Sequence, residues 1–398
     1  MKDVKICDYL WFQEGPGVRN TQYTTSGVKL INVANLVDGE VDISTSDRFI
    51  SEEEAYGKYS HFMADEGDFV IASSGIKIDY FEKKMGFIKK EHLPLCMNTS
   101  CIRFKVNDSS KLDIKYFMYY LKSNSFKTQL FNQITGSAQL NFGPSHLKKM
   151  TFPIIEIDKQ HEIVAKLEKT KQIIKSTKAL LEKYDILIKS RFIEMFGDIS
   201  TSEYKYETRK LGTVANVGSS HRVFTTEFVE KGIPFYRGTE IGELANGHKP
   251  IDPYYISDEH YNRLADNDTK PKIGDLLMPS ICNKGQVWMV DTEEPFYYKD
   301  GRVLSISPDK SIYNPKYLQY FMREKTLVEY PKLGSGSTFA EFKIFLLKNI
   351  DVLTPPKQLQ DNFANFVQQI DKSKFEIENT RILDYNISHQ LSFLSNRR

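Results

Sequence analysis

The side chains able to do chemistry in this chain are hydrogen-bonding ones set in turns. Arg19, Asn20, Lys77, Lys83, Lys84, Gln139 and Asn141 stand in the first half, and His221, Arg222, Arg237, Lys284 and Gln286 in the second. Arg pairs bidentately with guanine, and Asn or Gln with adenine, in the major groove of a DNA duplex. These residue types in exposed turns are therefore candidate readers of base edges, and those that miss a base would bond phosphate. Ordinary catalytic patterns are missing. Ser137 and Ser337 have no recognisable His and Asp partners and suit turns or helix caps. The eight His show no H-x-x-x-H spacing, so no metal site is expected. The Gly-Ser-rich stretch at Gly334 has neither G-K-[ST] nor G-x-G-x-x-G after a strand. There is no Asn- or Asp-Pro-Pro-aromatic tetrapeptide to hold a flipped adenine and no Walker motif.

What must position those turns is visible as a repeat. GVKLINVANLVDGE from Gly27 parallels GIPFYRGTEIGELANG from Gly232, and GDFVIASSG from Gly67 parallels GDLLMPSIC from Gly274. The helix-like DIKYFMYYLKSNSFKTQLFNQI from Asp113 parallels NPKYLQYFMREKTLVEYPKLGSGS from Asn314. Each ends in a Gly-Ser turn, at Gly136-Ser137 and Gly336-Ser337, and Phe142, Leu147 and Lys148 then match Phe342, Leu347 and Lys348. Both copies reach Lys-Gln, at Lys159-Gln160 and Lys357-Gln358, before a long helical run. So many anchors in one order make a duplication. Within each copy, short β-branched and aromatic runs separated by turns surround one helical segment, an α+β pattern.

The stretch from Asp158 to Phe196 has no Gly and no Pro. Its apolar stripe runs through Ile163, Leu167, Ile174, Leu181 and Ile188, with Lys and Glu on the other faces, as at a coiled-coil seam. At 1.5 Å per residue it is too long to be the core helix of a small domain. A second stripe, Phe366, Ile370, Ile377, Ile387 and Leu391, follows Gln358. The expected architecture is therefore α+β: two tandem-duplicated α/β domains, separated by two long antiparallel helices that form a coiled coil with a pseudo-twofold axis. The expected boundaries are 1–157 and 198–356 for the domains, and 158–197 and 357–398 for the helices. Such a rod would act as a ruler between two half-sites of a duplex.

Composition sets the background. The chain has 398 residues, 27% charged and 40% hydrophobic, with a formal charge of +2, so any polyanion surface must come from local clustering. Cys7, Cys96, Cys101 and Cys282 lack C-x-x-C pairing, and the chain is large enough to fold without staples. The N-terminal MKDVKICDYLWFQEGPG has no apolar run of signal-peptide length, and no run of eighteen apolar residues follows. A reduced, cytoplasmic chain with no membrane contact is expected.

The layout, the KLGTVA opening of the second copy at Lys210, the GIPFYRGTEI strand and the Gly-Ser turn before Leu-Lys together resemble the specificity subunit of type I restriction-modification systems. The resemblance covers essentially the whole chain. It implies a non-catalytic subunit whose two domains are target-recognition domains, each reading half of a bipartite, asymmetric site on double-stranded DNA. It also implies that the helices dock two methyltransferase subunits, which two restriction and motor subunits can join. S-adenosylmethionine, ATP and Mg would then be bound by partners and no cofactor by this chain. One departure stands out: Gln139-Leu140-Asn141 of the first copy is replaced by Phe339-Ala340-Glu341 in the second. Two other classes compete, a structural coiled-coil adaptor with end domains for a non-DNA ligand, and a self-contained divergent DNA methyltransferase.

Overall fold

The computed structural model describes residues 2–133, 140–264, 269–333 and 340–393, with side chains described as far as Ile377. Contacts divide the chain into two units, one made chiefly of residues up to Lys175 and the other of Ser176–Ile382. Among the described residues no helix is long and apolar enough to cross a membrane.

The first unit is built on a four-stranded antiparallel sheet. Its strand Cys101–Val106 lies between Leu10–Glu14 and Phe69–Ala72, and Met85–Phe87 flanks the latter. A three-stranded sheet sets Val28–Ile31 between Leu95–Met97, parallel to it, and Phe49–Ile50. The strand Lys2–Lys5 pairs with Thr151–Ile154 and so ties the two ends of the domain together. All four residues of Phe69–Ala72 are buried, which is why that strand is an unbroken apolar run rather than an alternating one. Phe69, Phe104, Phe117, Phe126 and Phe152 fill the core and are at most 1% exposed.

The second unit repeats this topology strand for strand. Val303–Pro308 lies between Ala215–Gly218 and Leu276–Pro279, which Trp288–Met289 flanks. Ile233–Tyr236 has a parallel neighbour, Tyr297–Tyr298, and an antiparallel one, Tyr254–Ile256. Thr208–Lys210 closes on Asp351–Leu353. The recurring Gly-Asp dipeptides have one cause in both copies. Gly67 (φ 86°) and Gly274 (φ 89°) take the left-handed conformation that favours glycine, and the next residue locks the turn. The Asp68 carboxylate accepts from Asp65 N and that of Asp275 from Lys272 N, each at 2.9 Å.

The central helix runs from Ile157 to Phe196 and the C-terminal helix from Lys357 to Phe393. Each is fastened to its domain through a fully buried amide, among other contacts. Gln160 Oε1 accepts from Asp113 N (3.0 Å), and its Nε2 donates to Lys111 O (2.9 Å) and Ile155 O (2.7 Å). Gln360 does the same with Asn314 N (2.9 Å), Ile312 O (2.9 Å) and Pro355 O (2.8 Å). Both glutamines are fully buried. The residue equivalent to Gln160 is therefore Gln360. Gln358, which the Lys-Gln match selects, is exposed and bonds only Asn362 among the described residues.

The seam needs a second correction. Ile163 is 37% exposed, and its neighbour Val164, 7% exposed, packs on the core of the first unit. The helix meets the domain there, and its packed face is set by the Gln160 joint rather than by a partner helix. Leu167, Ile174 and Leu181 are half-buried and Ile188 is buried. Within the second unit the two helices run antiparallel: Asp185 pairs with Lys374 at 2.5 Å, and, further along, Phe192 packs on Phe363 with ring centroids 5.4 Å apart. Phe192 and Phe196 also pack on Tyr317 of the helix Pro315–Glu329, so this end of the pair is a three-helix cluster. Phe366 and Ile370 join the same core, and Ile377 is half-buried. The side chains of Ile387 and Leu391 lie outside the described residues.

Candidate nucleic-acid interface

In the first unit, four segments converge at one end of the four-stranded sheet. Gly15 N donates to Cys101 O (3.0 Å), Thr99 N to Pro16 O (3.0 Å), Ser73 N to Ser100 O (2.8 Å) and Phe142 N to Ser73 O (2.9 Å). The helix joint is at the other end. Cys101–Val106 runs from this loop cluster toward Lys111 and Asp113, and six strand residues span about 20 Å. The fold therefore separates the end that holds the helix from the end that displays loops.

Arg19 and Asn20 lie on the loop that leaves Gly15, both exposed. Beneath them Gln22 accepts from Arg19 N (3.1 Å) and donates to Glu54 (2.7 Å), which fixes the main chain of the loop under its exposed side chains. Lys77 and Asn141 are exposed at the same end, Asn141 opposite Ser74 in a short strand pair. Lys84 reaches this end through Ala72 N, which donates to Lys84 O (2.9 Å), but its ammonium turns back to Val33 O (3.3 Å). Lys83 is engaged by Asp38 at 3.6 Å across an exposed pair. Gln139 lies outside the described residues.

The second unit builds the same end. Ser219 Oγ donates to Val303 O (2.7 Å), Ser220 Oγ to Tyr298 O (2.5 Å), Ser280 N to Arg302 O (2.8 Å) and Phe342 N to Ser280 O (2.7 Å). His221 and Arg222 are exposed on the first of these loops. His221 N bonds the Tyr297 hydroxyl (3.0 Å), and Arg222 Nε bonds Asp300 (3.2 Å). Lys284 is exposed, while the Gln286 amide folds back to accept from Lys284 N (3.0 Å) and closes its own turn.

Arg237 has a structural task. Its guanidinium grips Glu240 through Nε (3.1 Å) and Nη2 (2.5 Å) and lies 4.5 Å from the ring centre of Tyr254. Burial pushes the Glu240 carboxyl up, yet its bonds to Arg237 more than reverse this and hold it below the usual carboxylate range. Arg237 N also donates to Glu240 (2.7 Å), as Asn32 N donates to Asn35 Oδ1 (3.1 Å) in the first unit. The repeat conserves this helix-start bond with different residues.

Arg302 joins the interface although no sequence motif selected it. It sits immediately before the strand Val303–Pro308, with a side chain 61% exposed, and its Nη1 donates to Glu341 Oε2 (2.9 Å). The turn Asp300-Gly301-Arg302, whose Gly301 has φ 62°, is the signal that could have marked it.

Among the described residues no three His, Cys, Asp or Glu cluster to hold a metal. Burial pushes the thiols of Cys96 and Cys282 up to about 11 and that of Cys101 to about 12, so these cysteines are packing groups rather than nucleophiles. The exposed chemistry of the loop ends is hydrogen-bond donation and acceptance, which suits recognition.

Each unit thus carries such loops at one end and a long helix joined at the other, which defines a duplicated α+β domain with a helical extension. The family model for the type I restriction modification DNA specificity domain matches twice, over residues 22–202 and 203–384, and the chain belongs to that family. Two solved structures share the fold. The type I restriction-modification S subunit of Mycoplasma genitalium gives a TM-score of 0.55 at 16% identity, over 98% of this chain and 94% of that one. A chain from a structure on complex assembly and conformational transition of a type I system gives 0.54 at 14%, over 96% of each. A Haemophilus influenzae protein described as a type I restriction enzyme specificity subunit is 22% identical over 271 residues, 67% of this chain and 66% of its own length. The Methanocaldococcus jannaschii type I specificity subunit MjaVIII is 25% identical over 175 residues, 43% of this chain and 39% of its own. Each of these two matches spans less than two thirds of the relative.

Proposed function

We propose that this chain is the non-catalytic recognition subunit of a type I restriction-modification complex. It reads a bipartite, asymmetric site on double-stranded DNA and directs partner adenine methyltransferase and restriction subunits to it. The observation that carries this reading is the repeated joint: two domains of one topology, each fixed to a long helix by the same three bonds of a buried glutamine. A rigid joint converts helix length into a distance between loop ends, and a duplex offers binding positions at fixed spacing. The loop ends differ in their side chains, so the half-sites differ in sequence.

In this reading residues 1–157 and 198–356 recognise DNA, while 158–197 and 357–398 set the spacing and dock two methyltransferase subunits, with two restriction subunits joining the assembly. S-adenosylmethionine, ATP and Mg are bound by those partners and no cofactor by this chain. The experiment is to remove one heptad from each long helix and map methylated adenines genome-wide. A heptad is about 10.5 Å, or about three base pairs, so the unread gap should shorten by about three. A split motif with an unchanged gap would sink the ruler.

A further inference from the structure

The two loop ends place different chemistry at two equivalent positions. Cys101 pairs with Ala72 and Val303 with Pro279, so the residues before those strands, Ser100 and Arg302, correspond. Phe142 N bonds Ser73 O and Phe342 N bonds Ser280 O, so Asn141 and Glu341 correspond. In the first unit both positions are uncharged, with Ser74 Oγ donating to Ser100 Oγ at 2.6 Å and Asn141 exposed. In the second they form an ion pair. Glu341 is held from below by the buried Ser280 hydroxyl (3.2 Å) and shares its other oxygen with Lys343 (2.5 Å).

Glu341 is 22% exposed and Arg302 61%, so the carboxylate is recessed and the guanidinium projects. Among the described residues only Nη1 of the guanidinium is engaged, which leaves most of its donor fork presented outward. A carboxylate beside an arginine has opposite effects on the two ligands DNA offers. It offsets one of the two cations, Arg302 and Lys343, that flank it and so weakens the pull on an approaching phosphate, and it orients the fork toward a neutral acceptor pair such as guanine O6 and N7. We propose that Arg302 reads a guanine in the half-site bound by the second domain, with Glu341 as its positioning residue, and that the first domain makes no equivalent contact. This rests on the DNA-recognition role proposed above.

The test uses the full complex with its methyltransferase partner, and duplexes that carry each of the four bases at every position of the second half-site, at several salt concentrations. The unaltered complex should require guanine at one position. Arg302→Ala should lower discrimination there by about 5- to 150-fold, with other positions unchanged. Arg302→Lys should restore it only in part, because an ammonium can still reach guanine O6 and N7 but lacks the fixed planar fork that Glu341 orients. Glu341→Ala should weaken discrimination at the same position while binding to unrelated DNA tightens. An equal loss of affinity for all sequences in Arg302→Ala, with a salt slope smaller by about 0.9, would mark a phosphate contact and overturn the proposal. So would unchanged base preference in both Arg302→Ala and Glu341→Ala. A complex that shows no split site even when unaltered refutes the DNA-recognition role itself, which separates the two failures.

Discussion

Replacing Gln360 by Ala should cost far more than its size suggests. The side chain is fully buried and makes three bonds, all to main-chain groups: Asn314 N, Ile312 O and Pro355 O. At about 1 kcal/mol per bond, with buried groups then left unpaired, the loss is about 3–5 kcal/mol. For a unit of this size each kcal/mol moves the midpoint by about 2–4 °C, so the melting temperature should fall by about 10 °C. The chain offers a reporter, because its two tryptophans fall one in each unit, at Trp11 and Trp288. In a Trp11→Phe background, fluorescence during urea unfolding follows the second unit alone. Gln358→Ala is the control: that side chain is exposed and should stay within about 0.5 kcal/mol of the parent. Gln360→Glu should be at least as damaging as Ala, since a carboxylate oxygen would face two carbonyl oxygens. If Gln360→Ala and Gln358→Ala unfold together, the joint is not the buried amide and the reasoning fails.

Three further outcomes are expected. In the native chain a thiol reagent at pH 8 should label Cys7 alone, with Cys96, Cys101 and Cys282 reacting only after denaturation; fast labelling of Cys101 would contradict its burial. The same thiols make stability fall at high pH. Between the ordinary value of 9.0 and about 12 the unfolded chain releases a proton that folded Cys101 keeps, so a urea midpoint flat to pH 8 should drop above about pH 9. Phe192→Ala removes a ring packed on Phe196, Tyr317 and Phe363 and should cost about 3–5 kcal/mol by urea denaturation, even though the residue lies outside the apolar stripe read from spacing.

Much of the architecture was legible because it rests on patterns that local physics enforces. A run without Gly or Pro makes the long helix, and the Gly-Asp pairs and the helix caps at Asp113 and Asn314 recur because each performs the same bond twice, the cap side chain accepting from Lys115 N in one copy and Lys316 N in the other. The joint was visible only in outline: a two-residue match at Lys357-Gln358 looked like the anchor, whereas the bonds require the residue that points inward, two places on. Ile163 failed for a related reason, since a seam drawn by spacing ignores the domain packed on the helix start. At the loop ends, exposure of Arg19, Asn20, Lys77 and Lys284 followed from turn chemistry. The task of Arg237 did not, although its Glu three residues later is a readable helix-start signature. Arg302 had no such signature, because its partner Glu341 is brought near by sheet pairing rather than by sequence.

The buried glutamines hydrogen-bond their domains only through peptide groups, which every residue carries. Those six bonds do not depend on which side chains the domain residues carry, and the loop clusters lie a strand's length away. Mutations that retarget a half-site are thus invisible to the joint, and changes in helix length are invisible to the loops. On the proposed reading, what is read and how far apart it is read are then two separable traits, and one can change while the other is kept.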